Sequence, residues 1–185
     1  MISTGDLKKG ITLELDGTLY TVLDFQHIKI GRGSAQVRLK LRDVRAGHTI
    51  ERTVQAGEKF SRARVERQPV QYLYADGNLH HFMNTETFDQ VALSGEQMGD
   101  ALQYLRENAM CEVLVYGDES IGVELPAAVE LQVAETDPWV KGDTAQGGNK
   151  PARLETGLAV QVPLFVSTGD VIKVDTRSGE YLGKA

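Results

Sequence analysis

The chain has 185 residues, of which 41% are hydrophobic and 25% are charged, and its formal net charge is −6. This content is enough for folded cores, and no apolar run approaches the roughly 20 residues that span a bilayer. The single cysteine, Cys111, excludes internal disulfides and paired-cysteine metal sites, and we expect it to be an inert, partly buried thiol. The N-terminus lacks a basic stretch followed by an apolar one, so we expect a cytoplasmic protein.

Residues 1–63 are predicted to form a small all-β barrel. Asp16-Gly17 is a strong hairpin signal. The clearest strand is Val37-Arg38-Leu39-Lys40-Leu41-Arg42, in which apolar and basic residues alternate. Because successive side chains of a strand point to opposite faces, one face is apolar and the other carries Arg38, Lys40 and Arg42.

The connection before this strand is expected to be a hairpin tip. Gly31-Arg32-Gly33-Ser34 joins it to a partner strand, residues 26–30, and the glycines allow a tight turn because glycine adopts positive φ without a steric cost. Arg32 is then expected in solvent at the tip, and Lys29 extends the positive charge toward it. Either these cations contact RNA phosphates and bases, or they form a solvated face beside a turn; the residues alone leave both interpretations open.

Residues 64–127 are predicted to form a second β-rich unit. Two strand patterns flank the turn signal Ala75-Asp76-Gly77-Asn78. The one long helix of the chain is expected from about Ser94 to Met110, where apolar residues recur at helical spacing. Ser94 and Gln97 form its expected capping box.

Residues 128–185 are predicted to form a third β-rich unit with a long glycine-rich loop, and the charge is divided unevenly among the three. Residues 1–63 contain 11 Lys and Arg against 7 Asp and Glu, residues 64–127 contain 3 against 11, and the last unit contains 6 against 8. A basic head on an acidic body suits a protein that presents one end to a polyanion. Chance unevenness is the alternative.

We find no pattern typical of an active site. Gly31-Arg32-Gly33 does not continue as a dinucleotide-binding motif, and residues 142–149 lack the Gly-Lys-Ser/Thr end of a phosphate loop. His80 and His81 are neighbours on a predicted strand, so they face opposite sides and cannot share a metal. We therefore expect a protein that is not an enzyme and that has neither a metal nor a cofactor.

Three segments resemble the elongation factor P family. His27 to Ala35 is similar to the loop of its first domain, Lys150 to Gly157 with residues 162–169 resembles its C-terminal signature, and Asp175 to Tyr181 resembles its usual ending. The resemblance implies a mainly β, L-shaped protein that imitates tRNA in outline. It implies a KOW/SH3-like barrel, residues 1–63, followed by two OB folds, residues 64–127 and 128–185.

The same resemblance implies a role in translation. Such a factor binds the 70S ribosome between the P and E sites and stabilises the P-site peptidyl-tRNA when consecutive prolines stall peptide-bond formation. Arg32 would face the CCA end of that tRNA, and the basic hairpin would contact ribosomal and transfer RNA. The hairpin residues are Lys29, Gly31, Gly33, Ser34, Arg38, Lys40 and Arg42. Gly142-Asp143-Thr144 would meet messenger RNA in the E site, although a turn capped by Asp143 is the alternative there.

The tip residue departs from the commonest family pattern. Many members carry a lysine that receives a lysine-derived extension, which the guanidinium of Arg32 cannot accept. Some relatives carry a sugar on an arginine, so a modifying enzyme that acts on Arg32 is a candidate partner. We expect a monomer that does not bind membranes. Two rival interpretations are a KOW/OB protein of transcription or ribosome assembly and the family's own paralogue.

Overall fold

The computed structural model describes residues 1–29, 31, 33–138 and 147–185. Within these ranges the chain is mainly β, and no helix is long and apolar enough to cross a membrane. The contacts divide the chain into two compact units. Unit 1 comprises Met1–Gln68, Leu93–Gly99 and Val113–Gly122, and unit 2 comprises Pro69–Ala92, Asp100–Glu112 and Val123–Ala185.

The first sheet has six strands, and one of its faces covers the core of unit 1. The strands are β1 (Ile2–Ser3), β2 (Thr12–Leu15), β3 (Thr18–Ile28), β4 (Gln36–Asp43), β5 (Thr49–Gln55) and β6 (Lys59–Arg62). Their spatial order is β1-β6-β2-β3-β4-β5, and a short 3₁₀ helix, Thr4–Asp6, follows β1. Val37, Leu39 and Leu41 of β4 are 0% exposed, which confirms the predicted alternation of this strand.

A β-bulge shifts the register of the long hairpin formed by β3 and β4. Val22 pairs with Leu41, but the next pair is Asp24 with Lys40, so Leu23 is the extra residue. Beyond the bulge Phe25 pairs with Leu39 on the core side, while Asp24 faces outward with Lys40. The bulge thereby decides which side chains of β3 accompany the basic residues of β4.

The second sheet has five strands in the order β11-β10-β7-β8-β9. They are β7 (Glu66–Asp76), β8 (Leu79–Asn84), β9 (Gln90–Ser94), β10 (Met110–Tyr116) and β11 (Glu119–Glu124). The predicted hairpin is confirmed, because Asp76 pairs with Leu79 around Gly77, whose φ is +59°.

The predicted long helix from Ser94 to Met110 is wrong. The structure has a four-residue α-helix, α1 (Gly95–Met98), followed by a 3₁₀ helix, Gly99–Gln103. The capping box is confirmed: Gln97 N–H donates to Ser94 Oγ at 3.3 Å, and Ser94 N–H donates to Gln97 Oε1 at 2.9 Å. The α-helix ends because Gly99 has φ +52° and ψ −132°, a conformation that glycine adopts far more readily than other residues.

Within unit 1, α1 and the β10–β11 hairpin pack against the first sheet. Leu19, Ala63 and Ile121 form a small buried cluster there. Arg45, in the turn after β4, binds Glu119 through two hydrogen bonds, Nε to Oε1 at 3.0 Å and Nη2 to Oε2 at 2.8 Å. These contacts fix elements of the second sheet to the barrel that carries the basic hairpin.

The third sheet has five strands in the order β14-β13-β12-β15-β16. They are β12 (Ala128–Thr136), β13 (Asn149–Leu154), β14 (Ala159–Pro163), β15 (Val171–Asp175) and β16 (Tyr181–Lys184). The outer strands β14 and β16 come into contact, so the sheet curls around a core that includes Leu131, Val162 and Ile172, each 0% exposed. The predicted boundaries near residues 63 and 127 fall between strands, and the division into three domains stays a prediction.

Candidate nucleic-acid interface

The basic residues of β4 lie on the outward face of the first sheet. Arg38 and Lys40 are exposed and alternate with three fully buried residues, while Arg42 is half-buried. On the neighbouring strands Arg38 faces Gln26 and Thr53, whereas Lys40 faces Asp24 and Glu51. Directly opposed side chains of an antiparallel sheet lie on the same face, so each cation has a different electrostatic environment.

Lys40 faces a carboxylate on each neighbouring strand, and Arg38 faces none. Asp24, opposite Lys40, also binds Lys9 at 2.9 Å, and the hydrogen bond from Lys9, followed by that from the Phe25 amide, lowers the pKa of Asp24. Among the described residues no carboxylate lies within 4.0 Å of the charged group of either Arg38 or Lys40, so the two cations differ in the residues that face them across the sheet. Arg38 therefore presents the clearest uncompensated positive charge on this face.

A shallow groove of about 300 Å³ runs between these side chains. It is lined by Asp24, Phe25, Gln26, Arg38, Lys40 and Glu51. One end is bordered by the acidic pair that faces Lys40, and the other is bordered by Arg38 with the neutral Gln26. An RNA phosphate is attracted more strongly to the Arg38 end, because there it meets a guanidinium without an opposing carboxylate.

The connection between β3 and β4 places its described residues in solvent. Lys29, Gly31, Gly33 and Ser34 are exposed, and the φ of Gly31 is +50°, as a glycine-dependent turn requires. The Ala56 N–H donates to the Ala35 carbonyl at 2.8 Å, which extends the pairing of β4 with β5 to the base of the loop. The predicted tip residue, Arg32, and the predicted messenger loop, Gly142-Asp143-Thr144, lie outside the described residues.

Arg42 shares the strand face of Arg38 but has a second contact. Its guanidinium lies against Gly99 at the end of α1, where a Cβ atom would be only 1.7 Å from Arg42 Nη2. Gly99 thus leaves the space that this guanidinium occupies. Arg42 consequently joins the basic face to the packing of unit 1, whereas Arg38 and Lys40 extend into solvent.

The histidines of the second sheet and Cys111 have structural contacts and do not form a reactive site. The described residues contain no cluster of three His, Cys, Asp or Glu side chains that could hold a metal. His80 is buried with its Nδ1 3.2 Å from the Tyr72 hydroxyl, and burial lowers its pKa. His81 instead stacks on Tyr74 at a centroid distance of 4.6 Å. Burial raises the pKa of the Cys111 thiol to about 12, which agrees with an inert thiol.

Sequence reasoning missed the acidic neighbours of Lys40. Asp24 lies 16 positions before Lys40 and Glu51 lies 11 positions after it, and only strand pairing brings them together. The bulge at Leu23 sets the register that puts Asp24 opposite Lys40, and no residue pattern in the sequence predicts that bulge.

Three family models match successive parts of the chain. Residues 3–60 match "Elongation factor P (EF-P) KOW-like domain", residues 65–123 match "Elongation factor P (EF-P) OB domain", and residues 129–184 match "Elongation factor P, C-terminal". These matches and the three sheets confirm the predicted fold class, which is mainly β with KOW-like and OB domains.

Similar proteins carry the same description. A protein of Moorella thermoacetica named "Elongation factor P" is 57% identical over 185 residues, covering 100% of both chains. Another of that name, from Pelotomaculum thermopropionicum, is 56% identical over 182 residues, covering 98% of both. A solved structure, "Eukaryotic translation initiation factor 5A from Methanococcus jannaschii", aligns with a TM-score of 0.51 at 20% identity. It covers 68% of this chain and 90% of its own, and it shows a shared fold.

Proposed function

Because the chain belongs to the elongation factor P family of bacterial translation factors, we propose that it binds the 70S ribosome between the P and E sites. There it stabilises the P-site peptidyl-tRNA and stimulates peptide-bond formation at consecutive prolines. The observation that carries this proposal is the order of the three family matches, which together extend from residue 3 to residue 184. The exposed basic face of β4 supplies a surface suited to RNA.

The mechanism needs no chemistry from the factor. Proline is a slow nucleophile, and a loosely held peptidyl-tRNA occupies many unproductive positions. A protein that restricts those positions lowers the entropic part of the barrier, while the ribosome performs the reaction. This agrees with the names of the relatives, which are translation factors and not enzymes.

In this proposal the basic hairpin contacts RNA. Arg38 binds a backbone phosphate, and Lys29 and Lys40 add to the attraction. Gly31, with its positive φ, allows the turn that presents Arg32 to the CCA end. Arg42 supports this face from its position against Gly99.

Two further assignments belong to the same proposal. Gly142-Asp143-Thr144 contacts messenger RNA in the E site, where the hydroxyl and amide groups of the loop suit hydrogen bonds to nucleotides. Arg32 is also the candidate site for a modifying enzyme, and intact mass of the protein from its native host would reveal any added group. The three family matches support the proposed domains 1–63, 64–127 and 128–185.

Reconstituted translation tests the proposal. Wild-type protein is expected to speed synthesis through Pro-Pro-Pro and to leave a proline-free message nearly unchanged. Replacing Arg32 by Ala should reduce that stimulation about 10- to 100-fold, since one charge-assisted contact contributes roughly 1.5–3 kcal/mol. Arg32→Lys should recover part of it, because an ammonium lacks the planar fork. Asp143→Ala should also reduce stimulation.

Thermal melts of the same variants provide the control. All three substitutions should leave the melting temperature unchanged, which separates a functional loss from a folding loss. Equal stimulation of both messages by the wild type, or full activity of Arg32→Ala, would contradict the proposed function. A lower melting temperature of Asp143→Ala would instead support the capped-turn interpretation of that loop.

A further inference from the structure

Phe165 is an exposed aromatic residue in a firmly anchored turn of the third sheet. It is 61% exposed, although Val162 and Val166 on either side are 0% exposed. The Val166 N–H donates to the Pro163 carbonyl at 3.1 Å and closes the turn directly after β14. The buried valines hold the turn on the core, so the ring is presented to solvent from a fixed backbone.

A lysine lies beside this ring. The ammonium of Lys184, in β16, is 5.8 Å from the centroid of Phe165, within the range of a cation–π contact. The same ammonium binds Asp170 Oδ2 at 2.8 Å, and this oxygen also accepts a hydrogen bond from the Ser167 N–H at 2.8 Å. Asp170 thus fixes the positions of the Ser167 backbone, which follows Phe165, and of the Lys184 ammonium in the unbound protein.

Asp170, which holds Lys184 beside the ring, is influenced by two cations. Lys184 lowers the pKa of Asp170 mainly through its hydrogen bond, the Ser167 amide adds to this, and the charge of Lys150 contributes as well. Lys150 is 7% exposed, and its ammonium donates to the Asp137 carbonyl at 2.5 Å. Two cations therefore stand near one carboxylate, although residues 128–185 carry 6 basic against 8 acidic residues.

We propose that Phe165, with Lys184 beside it, is a stacking platform for an unpaired nucleobase of RNA. A base offers a flat π-face to the free side of the ring, and its acceptor atoms can receive a hydrogen bond from the Lys184 ammonium, which has three donors and is bound to Asp170. An aliphatic side chain of a protein partner would bury the same area but would gain nothing from the cation. The inference rests on the proposed function in one respect, namely that the ribosome is the source of that RNA.

Substitutions that separate stacking from general apolar contact test the proposal. Phe165→Leu keeps apolar bulk but removes the π-system, so affinity for 70S ribosomes carrying P-site peptidyl-tRNA should fall about 5- to 150-fold. Phe165→Trp should bind as well as the wild type or more tightly. Phe88→Leu is the matched control, since Phe88 is 70% exposed and no cation of the described residues lies over its ring, and the affinity of this variant should not change.

Base-specific chemical probing of the ribosome identifies the occupant. At least one unpaired base of ribosomal or messenger RNA should be protected by the wild type and reactive again with Phe165→Leu. If Phe165→Leu binds as tightly as the wild type, the platform is refuted. If it binds more weakly but leaves the same bases protected, the ring contacts a protein, and the proposal is also wrong.

A second probe removes the ribosome from the test. Decauridylate at low salt should shift the NMR signals of the Phe165 ring, and Lys184→Gln should reduce that shift. Absence of any shift at saturating decauridylate would contradict the stacking proposal even if ribosome binding is intact. If decauridylate shifts the ring signals but the protein does not bind ribosomes, the result would support the stacking proposal and would refute the proposed function.

Discussion

We expect Arg38 and Lys40 to contribute unequally to ribosome binding, although they are two residues apart on one face of β4. Arg38 faces Gln26 and Thr53, so a phosphate that approaches it meets no opposing carboxylate. Removing that charge-assisted contact should cost about 1.5–3 kcal/mol, which corresponds to roughly a 10- to 100-fold loss of affinity.

Lys40 is different because Asp24 and Glu51 oppose it on both sides. Both carboxylates lie on the face that a phosphate would approach and repel it, so they cancel part of its attraction to Lys40. Lys40→Gln should therefore weaken binding less than about threefold.

Equilibrium binding of labelled variants to 70S ribosomes over a range of salt concentrations measures both effects. Arg38→Gln should reduce the slope of log affinity against log salt by about 1, as expected for one lost phosphate contact. Arg52→Gln is the matched control, because Arg52 pairs opposite Leu39 on the other face and binds Asp16 at 2.8 Å. Equal losses for Arg38→Gln and Lys40→Gln, or an unchanged slope for Arg38→Gln, would refute this reasoning.

Two further predictions concern unit 1. Gly99→Ala should destabilise the fold by about 1–3 kcal/mol through backbone strain. The loss should exceed that of Gly77→Ala, because Gly77 also has positive φ but has no atom within 4 Å of the added Cβ. Hydrogen exchange of the β4 amides measures the effect of Gly99→Ala, and adding Arg42→Ala should bring it closer to that of Gly77→Ala. The hydrogen bond from Arg45 lowers the pKa of Glu119, so its stabilisation is present above about pH 4.5 and is lost as the pH falls through the lower folded value. The stabilities of wild type and Glu119→Gln should accordingly converge once the pH has fallen below that lowered pKa, with a difference at neutral pH under ~1 kcal/mol because both partners are nearly half exposed.

The sequence predicted the strand face well because that pattern is local. Val37, Leu39 and Leu41 are buried, and Arg38 and Lys40 are exposed, as the period of two along β4 requires. The capping box at Ser94 was predictable for the same reason, since its partners are three residues apart.

The errors and omissions arose where distant residues meet. The apolar spacing after Ser94 resembled a long helix, but Gly99 leaves the helical conformation at the point where the Arg42 guanidinium packs. Beyond that point Tyr104 joins the core of the third sheet. Tertiary contacts of this kind override local helical spacing, and the position of Arg42 against Gly99 has no signature in either segment alone.

The bulge at Leu23 also gives the basic hairpin one residue that its pairing does not need. Val22 and Phe25 are three residues apart, yet both reach the core face, because their partners Leu41 and Leu39 are two residues apart. Deleting Leu23 would leave Val22, Asp24 and Phe25 in regular alternation opposite Leu41, Lys40 and Leu39. The strand would lose its bulge, but the Asp24 carboxylate would stay on the outward face. This hairpin can therefore lose one residue at the bulge without exchanging its buried and exposed faces.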